Sequence, residues 1–332
     1  MNRSDLLSRF PWLAPHNQPE LVVIGDDLDS ALTAALYLHQ HPNAKLVGLY
    51  SQYTTVYHSA DISANELLKA VWLDLDIYQR KCRSLGHHIV RHSLADQLTG
   101  FASSCNLNEL TGRLVERDFW RKYPLGTIHF LMWLYGQEIP VGCDALIWLA
   151  DSAYINGQTT SYKFYRDAET GTLKFVPRQG FFQNVEAWLR DELPLPSLLE
   201  TFADIDEENF EWQMTYIMRD LSAAGFKRGV GQVASRHLQL HGFQCQPPDD
   251  DVIGHMLRLI AFVSQRTGWT VGPEQTVGLH RVNSRVAHRA TAELSLIQQT
   301  GGLDQFLEQH KVFSYVFPNK HAINYTSVVS SQ

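Results

Sequence analysis

The sequence predicts an α/β protein whose mostly parallel sheet is flanked by helices and is followed by a helix-rich C-terminal region. Three observations carry this expectation. Leu21, Val22, Val23 and Ile24 form an apolar, β-branched run that stops at Asp26, Asp27 and Asp29, and residues 31–39 then read as a helix. Residues 70–75 and 145–150 are further apolar runs, and these too end in acids, at Asp74 and Asp76 and at Asp151. A chain of 332 residues with 44% hydrophobic and 19% charged residues has the composition of a globular protein with a substantial core. In a parallel sheet the carboxyl ends of the strands lie along one edge, where ligands bind, so the acids are expected to converge on one site.

The remaining elements follow in order. Residues 44–50 read as the second strand, residues 70–75 as the third and residues 145–150 as a buried fourth. Residues 123–135 look like a buried helix beginning near Pro124, a favoured first-turn position, with its aromatic and Met side chains in the core. From about Thr159 the texture changes. Residues 162–176 suggest a hairpin turning at residues 167–172, and Leu193-Pro194-Leu195-Pro196 suggests a linker. Residues 200–224 and 252–265 have helical apolar spacing, while residues 276–279 and 312–317 suggest strands. Pro247 to Asp251 precedes the second of these helices, where its acids are explained by capping and the helix dipole. The expected division is a first domain at 1–190 and a smaller α+β accessory or substrate region at 191–332.

Bulk properties narrow the function classes. A net charge of −7 and a pI near 6.1 give no global basic footprint, which disfavours extended contact with duplex nucleic acid. A local basic cleft for a small phosphorylated substrate or a short single strand stays open. Cys82, Cys105, Cys143 and Cys245 lack zinc-ligand or redox spacing and are expected to be reduced. Residues 1–15 lack a signal-peptide core, and no apolar run approaches the roughly 20 residues needed to span a bilayer. A cytoplasmic protein with no membrane partner is the expectation, and a homodimer is compatible with the sequence.

Three carboxylates crowded after one strand repel one another, and a hard divalent cation is a simple way to keep them ionised. The plainer reading is a helix N-cap made by Asp29 or Ser30, with the other acids solvated. His87 and His88 follow Leu85-Gly86. Adjacent histidines are expected to point in different directions, so one could ligate a metal while the other faces a substrate; two surface loop histidines are the alternative.

In this order the residues resemble the DHH phosphoesterase superfamily. Asp27-Leu28-Asp29-Ser30 after an apolar strand is similar to its first motif, Asp74 in Val71-Trp72-Leu73-Asp74 to its second, Gly86-His87-His88 to its third, and Asp151 in Trp148-Leu149-Ala150-Asp151 to its fourth. The resemblance covers roughly the first half of the chain. It implies a DHH-like domain with a site for manganese or magnesium, one ion or two. Asp74 would bridge the ions, Asp27 would bind one, and Asp29, His87 and Asp151 the other, with His88 facing the scissile phosphate. The sequence departs from the family pattern where Val23, Gly25 and Gly86 stand in place of acidic or histidine residues. The first ion would then lose a ligand unless Asp26 or Asp76 replaces it. The family's glycine-rich C-terminal stretch before a histidine is not recognisable here.

Arg281, Arg285 and Arg289 recur every four residues, which would place them on one helix face as a clamp for a phosphate-bearing ligand. A solvated helix face is the other reading. Together these features suggest a metal-dependent phosphoesterase acting on a small phosphodiester such as a short oligonucleotide or cyclic dinucleotide. The rival expectation is a catalytically degenerate DHH-like protein that binds a nucleotide or nucleic-acid end. A third is an unrelated nucleotide-binding α/β protein whose acids cap helices.

Overall fold

The computed structural model describes residues 2–16, 18, 20–51, 54–150, 162–166, 173–177, 181–195, 216–217, 219–221, 223–224 and 251–327. They fall into two compact units. One comprises the described residues within Asn2–Asp26, Tyr37–Tyr123 and Val271–Gln332, and the other those within Asp27–Leu36 and Pro124–Thr270. The helix Leu28–Gln40 contributes residues to both.

Among the described residues the strands are β1 (Glu20–Ile24), β2 (Ala44–Ser51), β3 (Thr55–Ser59), β4 (Val71–Leu73), β5 (Arg83–Gly86), β6 (Cys105–Asn106), β7 (Tyr162–Arg166), β8 (Leu173–Pro177), β9 (Val282–Val286), β10 (His288–Glu293), β11 (Val312–Asn319) and β12 (Ala322–Ser327). In the first unit the sheet order is β6-β5-β4-β1-β2-β3-β9. The strands from β6 to β2 pair in parallel, whereas β3 and β9 add antiparallel at one side. This is the α/β, mostly parallel sheet that the apolar runs imply. Val22, Val23 and Ile24 are fully buried, as are Val71 and Leu73, which is why those strands read as continuous apolar runs rather than alternating ones.

The strand order reverses beside β1. The chain passes to β2 on one side and to β4, β5 and β6 on the other. Ile24 lies level with Leu73, Leu73 with Leu85, and Leu85 with Cys105. The residues that follow these four positions therefore leave the same edge of the sheet, and a crevice opens where successive connections diverge in this way.

A second, three-stranded antiparallel sheet, β10-β12-β11, supports that edge from within the same unit. Phe306, Val312, Tyr315, Phe317 and Ile323 share a buried cluster with Ile89, Val90, Phe101 and Val115. The Tyr315 hydroxyl donates to the Val90 carbonyl at 2.7 Å, and Asp304 accepts from the backbone of Gln97 and Leu98 at 2.7 and 2.6 Å. The segment after β5 is thus held by residues more than 200 positions away.

In the other unit, residues 127–135 form the expected helix, beginning at Thr127, and β7 and β8 form the expected hairpin. Asp251 caps the helix Val252–Thr267 by accepting from Gly254 N at 2.8 Å, in line with the capping explanation. Most of the helix expected at residues 200–224 lies outside the described residues.

Two expectations are corrected and a third is not confirmed. Residues 145–150 are not a strand: 145–149 belong to the helix Asp144–Leu149 and Ala150 is its C-cap, because a short apolar run buried on all sides has no periodicity to distinguish the two. Residues 277–279 form a 3-10 turn rather than a strand. The helix-rich C-terminal region is not confirmed: from residue 282 onward strands alternate with the short helices Leu294–Gln299 and Leu303–Gln309. Cys82, Cys105 and Cys143 are free and buried, and Cys245 lies outside the described residues. Among the described residues, no helix is long and apolar enough to cross a membrane.

Candidate metal centre

The three acids after β1 have three destinations. Asp26 accepts a hydrogen bond from the Ser51 hydroxyl at 2.8 Å. Asp27 begins the helix Leu28–Gln40: its carboxylate accepts from Ser30 N at 2.9 Å and its carbonyl from Ala31 N at 3.1 Å. The N-cap of the plainer reading thus exists, but at Asp27 rather than at Asp29 or Ser30. Asp29 is fully buried. Its carboxylate accepts from Thr127 N at 2.6 Å, Ile128 N at 2.9 Å and the Thr33 hydroxyl at 3.3 Å. It therefore closes the first turn of the helix Thr127–Tyr135, where free N–H groups and the helix dipole favour an ionised acid. A Cβ at Gly126 would lie 2.6 Å from Asp29 Oδ2, so the glycine makes this approach possible.

Asp74 follows β4 and has φ 59°, the left-handed region that Asp and Asn tolerate better than most residues. His87 follows β5, and its Nδ1 lies 3.2 Å from Asp74 Oδ1. Both side chains are buried. Two residues beyond Asp74, Asp76 receives the next histidine: its Oδ2 accepts from His88 N at 3.1 Å and lies 3.0 Å from the His88 Nδ1. The two rings stack, with centroids 4.4 Å apart and planes at 26°. Adjacent histidines were expected to diverge; here each ring is drawn to its own aspartate, and the turn at Asp74 brings both acids to the same side.

Two asparagines fix the backbone of this pair. Asn106 Nδ2 donates to Asp76 Oδ1 at 2.6 Å and to the His88 carbonyl at 2.8 Å, while Asn108 Nδ2 donates to the His87 carbonyl at 2.8 Å. The Asn106 oxygen in turn caps the short helix Leu107–Leu110. Asn106, Asn108, Gly126 and Thr127 escaped the reading of the sequence. The repeated Asn of Asn106-Leu107-Asn108 was the available signal for the first two.

Asp29, Asp74 and His87 each offer one ligand atom, and these atoms lie within 4.8 Å of one another with all three residues buried. Two buried carboxylates that close repel unless a positive charge joins them, and an imidazole beside them completes a nitrogen and oxygen donor set suited to a divalent ion. This group could hold a metal ion, and it brings together three of the residues expected as ligands. Asp151 lies outside the described residues. Asp26 and Asp27 are not in the group.

The arginine row is corrected. Arg285 lies in β9 and Arg289 in β10, strands of different sheets, and Arg281 immediately precedes β9. They do not share a helix face. A spacing of four also places residues on one face of a strand, so the i, i+4 pattern misled.

No family model, no curated protein and no solved structure matches this chain. The resemblance to the DHH superfamily therefore rests on the residues themselves.

Proposed function

We propose that this protein is a divalent-metal-dependent phosphoesterase of DHH-like type, acting on a small phosphodiester such as a short oligonucleotide or cyclic dinucleotide. The observation that carries the reading is the buried group of Asp29, Asp74 and His87. Asp74 and His87 directly follow β4 and β5, and Asp29 lies in the first turn of the helix that follows β1. Manganese or magnesium would be held by these three, with Asp151 as the expected fourth. A bound divalent ion would supply Lewis acidity and a water acidic enough to act as hydroxide near neutral pH. His88, its ring one-third exposed beside the buried group, would contact the phosphate. Asp29 would stay ionised through the backbone N–H groups of Thr127 and Ile128.

The test is a panel of pyrophosphate, polyphosphate, dinucleotides and short single strands incubated with Mn²⁺. Hydrolysis of a phosphodiester that is lost in Asp74→Asn supports the reading, and hydrolysis that survives Asp74→Asn unchanged overturns it.

One observation favours the second reading, a degenerate member that binds a nucleotide or nucleic-acid end. Asp27 is engaged on Ser30 N and Asp26 on the Ser51 hydroxyl, outside the buried group. Calorimetric titration separates the two: two tight Mn²⁺ equivalents favour the enzyme, and one or none favours the binder.

A further inference from the structure

We propose that Asp76 is the positioning residue of His88, delivering from the β4–β5 connection a carboxylate into the place that a side chain at position 86 would fill. The role of His88 toward a phosphate rests on the function proposed above; the geometry that orients it does not.

Asp76 is engaged on both oxygens. Oδ2 meets the backbone N–H and the ring Nδ1 of His88, and Oδ1 accepts from Asn106 Nδ2. Its side chain is 3% exposed, whereas that of His88 is 32% exposed. A carboxylate only accepts hydrogen bonds, so a neutral His88 ring facing it carries its proton on Nδ1. That leaves the Nε2 lone pair as the free face of the ring, with orientation and tautomer both set.

Gly86 completes the argument. A Cβ there would stand 2.0 Å from Asp76 Oδ1 and 2.6 Å from Oδ2. Covalent geometry holds a carboxylate oxygen about 2.4 Å from its own Cβ. An aspartate at position 86 would thus bring an oxygen into the volume that Asp76 Oδ2 now fills, beside the same imidazole. The acid can come from position 76 or from position 86, and the two exclude each other. Gly86, which in sequence looks like a missing acid, is the space that the acid occupies.

The experiment is ¹⁵N NMR of the histidine side chains in alkaline solution, where imidazole is neutral, with His88 assigned by its absence in His88→Gln. The parent should show His88 protonated on Nδ1. Asp76→Ala should shift it toward the Nε2-protonated form, and Asp76→Ala/Gly86→Asp should return it to Nδ1. Thermal unfolding guards against misfolding: Gly86→Asp alone should lower Tm more than it does in the Asp76→Ala background, because the collision is then removed. If the parent hydrolyses a phosphodiester, Asp76→Ala should lower kcat about 10- to 100-fold, with partial recovery in the double variant. An unchanged His88 tautomer in Asp76→Ala, or purely additive Tm changes, overturns the proposal. A parent inactive on every substrate, with the tautomer switching as described, overturns the function and leaves the positioning role standing.

Discussion

Replacing Asp74 separates its backbone from its charge. With φ 59° it holds a conformation that costs a residue bearing a Cβ about 1–2 kcal/mol, with Asn and Asp penalised least. Asp74→Asn keeps that tolerance and keeps an oxygen for His87 Nδ1, now 3.2 Å away, but removes a carboxylate crowded against Asp29. Asp74→Ala removes the tolerance and the hydrogen bond together. Without metal, the Asn variant is expected within about 1 kcal/mol of the parent, and the Ala variant lower by about 2 kcal/mol, roughly half from backbone and half from the lost bond. With Mn²⁺ at a hundredfold excess over its Kd, the parent should gain about 2.7 kcal/mol. For 332 residues at about 2.1 cal/mol/K each, the unfolding entropy is about 0.7 kcal/mol/K, so the expected rise in Tm is about 4 °C. Differential scanning calorimetry with and without Mn²⁺ is the assay. A Mn²⁺ shift that persists in Asp74→Asn refutes the ligand role, and equal metal-free stabilities of the Asn and Ala variants refute the backbone argument.

Gly126→Ala places a Cβ 2.6 Å from Asp29 Oδ2, and is expected to lower stability by about 1–3 kcal/mol and to weaken Mn²⁺ binding; denaturant unfolding and calorimetric titration check the two effects. Burial pushes the Tyr50 phenol up to about 12. An unfolded tyrosine ionises near 10, so this group's stabilisation is complete below pH about 10 and is lost as pH rises toward about 12. Chemical unfolding across that window should show a shallower decline in Tyr50→Phe, which also forgoes the 2.8 Å bond to Ser314. Burial likewise raises the Cys82 thiol to about 12, so iodoacetamide at pH 8 should leave it unmodified in the folded protein and label it only with denaturant, as mass spectrometry would read.

The parallel part of the sheet was legible because β1, β2 and β4 are buried strands of apolar residues, with acids following β1 and β4. The same criterion failed at residues 145–150, where six apolar residues fit a buried helix equally well. Asp29 and Asp74 could be picked out by their order after β1 and β4, and His87 by its pairing with His88. Their supports could not: the N–H groups that hold Asp29 lie 98 and 99 residues away, and sequence spacing carries no trace of such a partner. Gly86 was legible only as a departure from a pattern, since its meaning depends on Asp76, ten positions upstream and on another connection.

The displaced arginines give β9 a different significance. Ala60 N donates to the Arg281 carbonyl and Ala287 N to the Thr54 carbonyl, so by alternation Val282, Ser284 and Val286 turn their own N–H and C=O groups away from β3. At the end of the sheet order this leaves, among the described residues, a rim of peptide groups beside two exposed valines. Such a rim is a template on which another extended chain could add, and proteins commonly guard it with long cationic side chains. Arg281 and Arg285 flank Val282, Asn283 and Ser284 on this rim. An incoming strand would have to accommodate both, so this pair of arginines guards the edge against strand addition.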